Sequence, residues 1–226
     1  VLGKAGHFLS SQHISISPQG DMIAYISNKG GNPEVWLHSL ESGTGRQVTK
    51  LGQSGLNALS WSPDGKWIAF SGNRYGNYDI WKVSVETGQI HQMTDDELYE
   101  VNPSWTPDSK RIIYVKLNDE WTDHDIISIN SRDASESVII ERDKDFFDYG
   151  YGRTFGFTQV SPDGKSLLFR SHRSGWINYW IIPLDGGESR SVYQEEADQS
   201  NGSWSPDGSM ILFTTNYNGT HKLNMV

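Results

Sequence analysis

The chain contains no cysteine among its 226 residues. That excludes disulfide scaffolds, thiolate zinc sites and cysteine nucleophiles together, and it leaves the compartment open between periplasm and cytoplasm. Basic residues are also in short supply, with 19 Lys and Arg against 28 Asp and Glu and a formal charge of -9. A nucleic-acid binder needs a basic face to displace counterions, so no nucleic-acid partner is expected. Long hydrophobic runs are missing as well. No stretch approaches the roughly 20 apolar residues that a membrane helix needs, so no membrane span is expected. The chain opens on Val1 with no charged-then-apolar leader, as expected of a processed product or a piece of something longer.

What is present is a repeat. Ser17-Pro18-Gln19-Gly20, Ser62-Pro63-Asp64-Gly65, Thr106-Pro107-Asp108-Ser109, Ser161-Pro162-Asp163-Gly164 and Ser205-Pro206-Asp207-Gly208 follow one another at 45, 44, 55 and 44 residues. Pro presets φ at the first corner of such a turn, Asp bonds back to nearby amides, and Gly takes the left-handed position. An apolar or Trp residue precedes each turn and a short apolar strand follows, such as Trp67-Ile68-Ala69-Phe70 or Ser166-Leu167-Leu168-Phe169. A Gly-bearing turn, a second strand such as Asp79-Ile80-Trp81-Lys82, another Gly turn and a last strand complete the unit. Helical periodicity is never sustained over three turns, so the expected class is all-β. Four-stranded units at this period are the mark of a β-propeller.

The expectation is one propeller domain over 1–226, with blades at about 12–50, 57–94, 101–141, 157–194 and 200–226. Either residues 1–5 complete the last blade and close a five-bladed ring, or the chain is a segment of a six- to eight-bladed one. Both satisfy the sequence. Trp61, Trp105 and Trp204 share one repeat position and Trp36, Trp81 and Trp180 another, which assigns them to packing between neighbouring sheets.

The unit from Trp61-Ser62-Pro63-Asp64-Gly65-Lys66-Trp67 to Tyr78-Asp79-Ile80-Trp81 resembles the TolB-type propeller repeat, and the resemblance extends over the whole chain. That repeat occurs in the periplasmic translocation protein TolB and in the N-terminal propellers of prolyl oligopeptidase-family serine peptidases. Ser171-His172-Arg173-Ser174-Gly175-Trp176 and Leu184-Asp185-Gly186-Gly187-Glu188 are similar to stretches of the peptidase propellers, which restrict access to a separate α/β-hydrolase domain carrying a Ser-Asp-His triad. The chain has no Gly-x-Ser-x-Gly elbow, and Gly52-Gln53-Ser54-Gly55 has the wrong spacing. The resemblance therefore implies a non-catalytic gating propeller without its hydrolase, whose partner is that missing domain or another protein. One alternative is a stand-alone TolB-like periplasmic propeller that binds a protein or a small ligand, a peptide included. Another is a glycan-active propeller using acids such as Asp95, Asp123 and Glu195.

His13, Asn57, Asn102 and Asn201 precede the expected innermost strands, which makes them the expected lining of the channel mouth. The resemblance admits a cation in the channel, where such oxygen donors suit calcium. No EF-hand spacing occurs, and no resident cofactor is expected. The 55-residue interval locates an insertion within 143–157 that carries Phe146, Phe147, Tyr149, Tyr151, Arg153 and Phe155. These form a contact surface for a ligand, partner or hydrolase domain, or they fold back as a plug. Glu195-Glu196 is similar to the paired-Glu amine anchor of dipeptidyl peptidases, but its place in a blade connection reads as solvated loop charge.

Overall fold

A computed structural model of the chain describes residues 14–52, 55–117, 124–140 and 158–226. It is all-β, a five-bladed propeller, with no helix among the described residues. Blade 1 comprises β1 (Ile14–Ile16), β2 (Met22–Ser27), β3 (Glu34–Ser39) and β4 (Gly45–Gln47). Blade 2 comprises β5 (Gly55–Trp61), β6 (Trp67–Asn73), β7 (Asp79–Ser84) and β8 (Ile90–Gln92). Blade 3 holds β9 (Tyr99–Trp105), β10 (Arg111–Leu117), β11 (His124–Asn130) and β12 (Glu136–Ile140). Blade 4 holds β13 (Thr158–Val160), β14 (Ser166–Ser171), β15 (Asn178–Pro183) and β16 (Arg190–Ser191). Blade 5 shows three strands among the described residues, β17 (Asp198–Trp204), β18 (Ile211–Tyr217) and β19 (Thr220–Met225). Residues 1–5, which the sequence offers as its fourth strand, lie outside the described residues, as does the whole insertion.

Each blade is an antiparallel meander whose first corner is the repeated turn. In blade 2 the Ser62 hydroxyl donates to Asp64 Oδ1 at 2.6 Å and accepts the Trp67 amide at 2.9 Å, Asp64 accepts the Lys66 amide at 3.1 Å, and Gly65 takes φ +72°. Blade 1 keeps the turn with Gln19 in place of Asp, because the Ser17 hydroxyl reaches Asp21 Oδ1 instead at 2.7 Å.

The strand after the turn alternates its side chains between the two faces of the blade. Ile68 and Phe70 point back to blade 1, into a core with Ala24, Val35 and Leu37, while Ala69 points forward to Trp105, Ile112 and Tyr114 of blade 3. Blade 3 repeats the arrangement toward blade 4, where Ile113 meets Leu167 and Phe169, and blade 4 toward blade 5, where Leu168 and Tyr179 meet Ile211 and Phe213. Each buried Ile or Phe contributes about 1.5–3 kcal/mol.

Five of the six repeat tryptophans, Trp61, Trp81, Trp105, Trp180 and Trp204, pack into the cores between or within the blades, and half-buried Trp36 does not. Indole N–H groups of Trp61, Trp105 and Trp204 each donate to a carbonyl of the preceding blade, at Ser15, Ser60 and Gln159, over 3.1, 3.1 and 3.4 Å.

The innermost strands β5, β9 and β17 begin at Gly55, Tyr99 and Asp198, two residues ahead of the expected 57, 101 and 200. A β-bulge lengthens each one. The register shifts between Asn57 and Ser60, between the partners of Ile113 and Val115, and between Ser200 and Ser203. Two residues thus oppose one aromatic of the next strand, and the first of the two turns left-handed: Ala58 at φ 52°, Asn102 at 57°, Asn201 at 55°.

Candidate functional site

Alternation of strand direction gives the propeller two unlike rims. The Ser/Thr-Pro-Asp-Gly turns and the third corner of each blade lie on one, the turn rim. The second hairpins and the blade-to-blade connections lie on the other, the connection rim.

On the connection rim one repeat position clamps the passage from blade to blade. Glu34 accepts the Thr49 hydroxyl at 2.5 Å and the amides of Leu51 and Gly52 at 2.8 and 3.1 Å. Asn178, its counterpart in blade 4, donates to the Ala197 carbonyl at 3.1 Å. Asp79, the counterpart in blade 2, accepts from Gln92 at 3.2 Å, while Asn77 beside it holds the Leu98 carbonyl at 2.9 Å. Asp79 is buried, and burial, with the nearby charges of Asp96 and Asp95, pushes its carboxyl up to about 6.

The next turn of the rim holds a charged cluster. Glu100 is fully buried at the start of β9, and Lys116 from β10 pairs with it at 3.2 Å and with Asp96. Burial drives the Glu100 carboxyl up to about 8 against the opposing pull of Thr94 and Lys116. The Tyr114 hydroxyl donates to Glu136 at 2.6 Å, and burial with the nearby carboxylates raises its pKa. Among the described residues no group of three or more His, Asp or Glu is arranged to hold a metal ion.

The second hairpins carry a feature that recurs without being spelled identically. A cation stands over the Trp of the following strand in three blades: Lys29 over Trp36 at 5.7 Å, Arg74 over Trp81 at 6.0 Å and Arg173 over Trp180 at 4.8 Å. Beside them Tyr75, Trp176 and Tyr193 are exposed on the same rim. In the sequence, Arg74-Tyr75-Gly76 reads as part of the repeat unit and Gly175-Trp176 as part of a stretch similar to the peptidase propellers, and neither aromatic is singled out as surface. The available signal was an aromatic beside a turn glycine, where no blade packs.

Of the expected channel residues, Asn102 and Asn201 occupy the left-handed bulge position, and Ala58 rather than Asn57 fills it in blade 2. Asn57 stands one residue earlier, half-buried, with its Oδ1 accepting the Ala58 amide at 2.9 Å. Asn102 is buried, its amide donating to the Ser71 hydroxyl at 3.2 Å. Asn201 is exposed and donates to Thr214 at 3.1 Å. The Cβ that Gly202 lacks would lie 2.3 Å from the Tyr179 ring, whose hydroxyl accepts the Gly202 amide at 2.6 Å. His13 lies outside the described residues, as do Phe146, Phe147, Tyr149, Tyr151, Arg153, Phe155 and Asp123. Asp95 and Glu195 sit in different, non-adjacent connections.

Comparison with known proteins agrees with this architecture. TolB from Acinetobacter baumannii superposes with a TM-score of 0.71 at 26% identity, over 94% of this chain and 50% of that one. A prolyl endopeptidase shares the fold with a TM-score of 0.68 at 18% identity, over 94% of this chain and 33% of that one. In sequence, the uncharacterized peptidase YuxL of Bacillus subtilis is 32% identical over 119 residues, 50% of this chain and 17% of YuxL. The chain thus corresponds to half or less of each of these proteins. The PD40 TolB beta propeller domain matches residues 8–145, more than half of the sequence, and with five blades built on its repeated turn, the chain belongs to that family.

Proposed function

We propose that this propeller is the non-catalytic part of a serine peptidase of the prolyl oligopeptidase type, where it governs the access of peptides to a separate hydrolase domain. The observation that carries this reading is the 32% identity to a peptidase over half of the chain. The 226 residues contain no Gly-x-Ser-x-Gly nucleophile elbow, so the chemistry belongs to a domain outside them. The connection rim supplies the contact chemistry: exposed Tyr75, Trp176 and Tyr193 offer flat apolar area beside the Arg74 and Lys29 cations. Exposed Asn201 and half-buried Asn57 are proposed as polar lining along the peptide's path, and the aromatic residues of 146–155 as the surface that meets the hydrolase.

The test is an assay of aminoacyl and peptidyl nitroanilides with two preparations, the 226-residue chain and the natural-length gene product. The expected result is no turnover by the first and hydrolysis by the second. Turnover by the 226-residue chain, or an inert natural-length product without a hydrolase domain, overturns the reading. The second outcome points to a TolB-like binding propeller, which the 26% identity to TolB favours.

A further inference from the structure

Near the turn rim a basic side chain bridges blade 1 to blade 2 and blade 2 to blade 3, and the bridge is missing between blades 3 and 4. The Arg46 guanidinium donates to the Val85 carbonyl across the first junction. Across the second, the buried Lys82 ammonium lies 4.4 Å from the Trp67 ring centroid and donates to the Ser131 carbonyl at the same third corner. Leu184 holds that corner position in blade 4, its amide bonded to Lys165 as those of Val85 and Ser131 are to Lys66 and Lys110. Among the described residues no side chain donates to the Leu184 carbonyl. The register explains the gap. Opposite the forward-facing residue of the second strand, and beside it on the outer strand, stand Leu37 and Arg46 in blade 1, Lys82 and His91 in blade 2, and Ile181 and Arg190 in blade 4. Blade 3 has Ser128 and Ser137 there. Two short side chains in place of longer ones leave a cleft of about 640 Å³ between blades 3 and 4, walled by Ile113 and Leu184 and lined by Asp108, Asp163 and Asp185. Arg111 lines it as well, and its Nη2 donates to the Ser128 carbonyl at 2.7 Å and to the Ser137 hydroxyl at 2.8 Å, which holds the guanidinium against its own blade. Among the described residues no carboxylate pairs with Arg111 and no group accepts from its Nη1.

We propose that the cleft between blades 3 and 4 binds a basic side chain, lysine or arginine, of an extended polypeptide segment from a partner protein. The other two junctions show what the position takes: a cation on an aliphatic stem, directed at the third-corner carbonyl. Here the Leu184 carbonyl is the matching acceptor, Ile113 and Leu184 flank the stem, and three carboxylates surround the cation against one guanidinium. That balance attracts a positive group and repels a negative one. Arg111, drawn aside by Ser128 and Ser137, keeps Nη1 for a neutral acceptor, and a main-chain carbonyl of the bound segment supplies one. Volume points the same way. The cleft lies within the roughly 300–1,000 Å³ of small-ligand sites and exceeds a single side chain, so residues flanking the basic one enter with it.

The test uses the natural-length gene product, treated with a fluorophosphonate so that no hydrolase nucleophile acts on the probe. The probes are end-blocked fluorescent hexapeptides with lysine, norleucine or glutamate at one central position. Anisotropy is expected to show the lysine peptide binding on the order of 10-fold tighter than the norleucine peptide, a preference that shrinks as salt is raised. Ser137→Arg places a guanidinium where Arg46 stands in blade 1, and by filling the cleft it is expected to abolish the preference. Asp185→Asn, a change at an exposed position, should reduce the preference by about 3-fold. Equal affinity for lysine and norleucine, or no binding of any peptide up to millimolar concentration, overturns the proposal. Tighter binding of the glutamate peptide overturns it as well, by making Arg111 the recognising group. So does a lysine preference that survives in Ser137→Arg, since the peptide is then held elsewhere, and Asp185→Asn decides the same point should that variant not fold. Turnover plays no part in the readout, so the outcome is independent of the hydrolase reading.

Discussion

The two rims of the propeller treat carboxylates in opposite ways. On the turn rim Asp108, Asp163 and Asp207 lie at the surface, and hydrogen bonds from neighbouring hydroxyls and amides pull their pKa values down, Asp207 to about 2. On the connection rim Asp79 and Glu100 are buried, and loss of water pushes theirs up to about 6 and about 8. The turn rim spells one solution four times and nearly a fifth, because each copy answers the same local demand for a tight corner. The connection rim uses Glu34, Asp79 and Asn178 at a single repeat position. A rim whose polar groups differ from blade to blade and sit in low dielectric is the one on which specificity can be built, and the exposed aromatics are found there.

If the connection rim is held by its clamps, breaking the strongest of them has the largest effect. Glu34→Ala leaves the Thr49 hydroxyl and the amides of Leu51 and Gly52 without their acceptor. The expected loss is about 3 kcal/mol in urea unfolding, the cost of stranding buried donors. A loss below about 1 kcal/mol would mean that water replaces the carboxylate and that the clamp is not structural.

Glu100 gives the pH comparison. Its folded pKa lies above the ordinary 4.5, so its contribution to stability is fully present below 4.5 and is lost as pH rises toward 8. Asp79 acts in the same direction between 3.8 and about 6. Gln199 occupies the repeat position of Glu100 in blade 5, buried and accepting the Tyr179 amide at 2.8 Å, so a glutamine fits this backbone. Glu100→Gln is therefore expected to flatten the decline in unfolding free energy between pH 4.5 and 8 by on the order of 2 kcal/mol once the site relaxes. The part of the decline that ends near pH 6 should remain. A profile parallel to the wild type across that range would show that Glu100 ionises as an ordinary surface acid.

Most of the fold was legible because it is local and repeated. Turn, strand and glycine recur on schedule, and any reading that finds Ser62-Pro63-Asp64-Gly65 finds its four relatives. The bulge was not legible. Nothing in Asn57-Ala58-Leu59 announces that Ala58 turns left-handed, since the extra residue shows only in the register against Phe70 on the neighbouring strand. Asn57 therefore stood in for a position that Asn102 and Asn201 fill and it does not. The Glu100–Lys116 pair was hidden for a related reason: its members are 16 residues apart on antiparallel strands, and burial, which sequence does not display, sets their chemistry. The exposed rim aromatics were visible as letters and invisible as surface, because only the assembled blades show which aromatics are left without a neighbour.

The smallest effect should come from the turn rim. Asp108 accepts the Thr106 hydroxyl at 2.7 Å and the Lys110 amide at 3.0 Å, and its side chain is more than half exposed. Its lowered pKa makes its contribution present above the unfolded value of 3.8 and lost as pH falls through the folded one, the reverse of Glu100. Asp108→Ala should cost about 1 kcal/mol at pH 7, a figure limited by solvent screening, and the gap to wild type should narrow as the pH is lowered below 3.8. Blade 1 already carries the experiment in natural form. Gln19 replaces the aspartate there, and the turn survives because Asp21 takes over the Ser17 hydroxyl. Blade 3 has Lys110 and Arg111 where blade 1 has Asp21 and Met22, so no carboxylate stands ready to substitute. Installing one where blade 1 has Asp21 means Lys110→Asp, which would also remove the ammonium that lies 3.8 Å from Asp108. The informative pair is thus Asp108→Ala beside Asp21→Ala. Equal losses would show that every turn depends on one carboxylate wherever it is placed, and a much larger loss in blade 3 would show that its turn, with Ser109 forced to φ 59° where other blades have glycine, is the weakest corner of the rim.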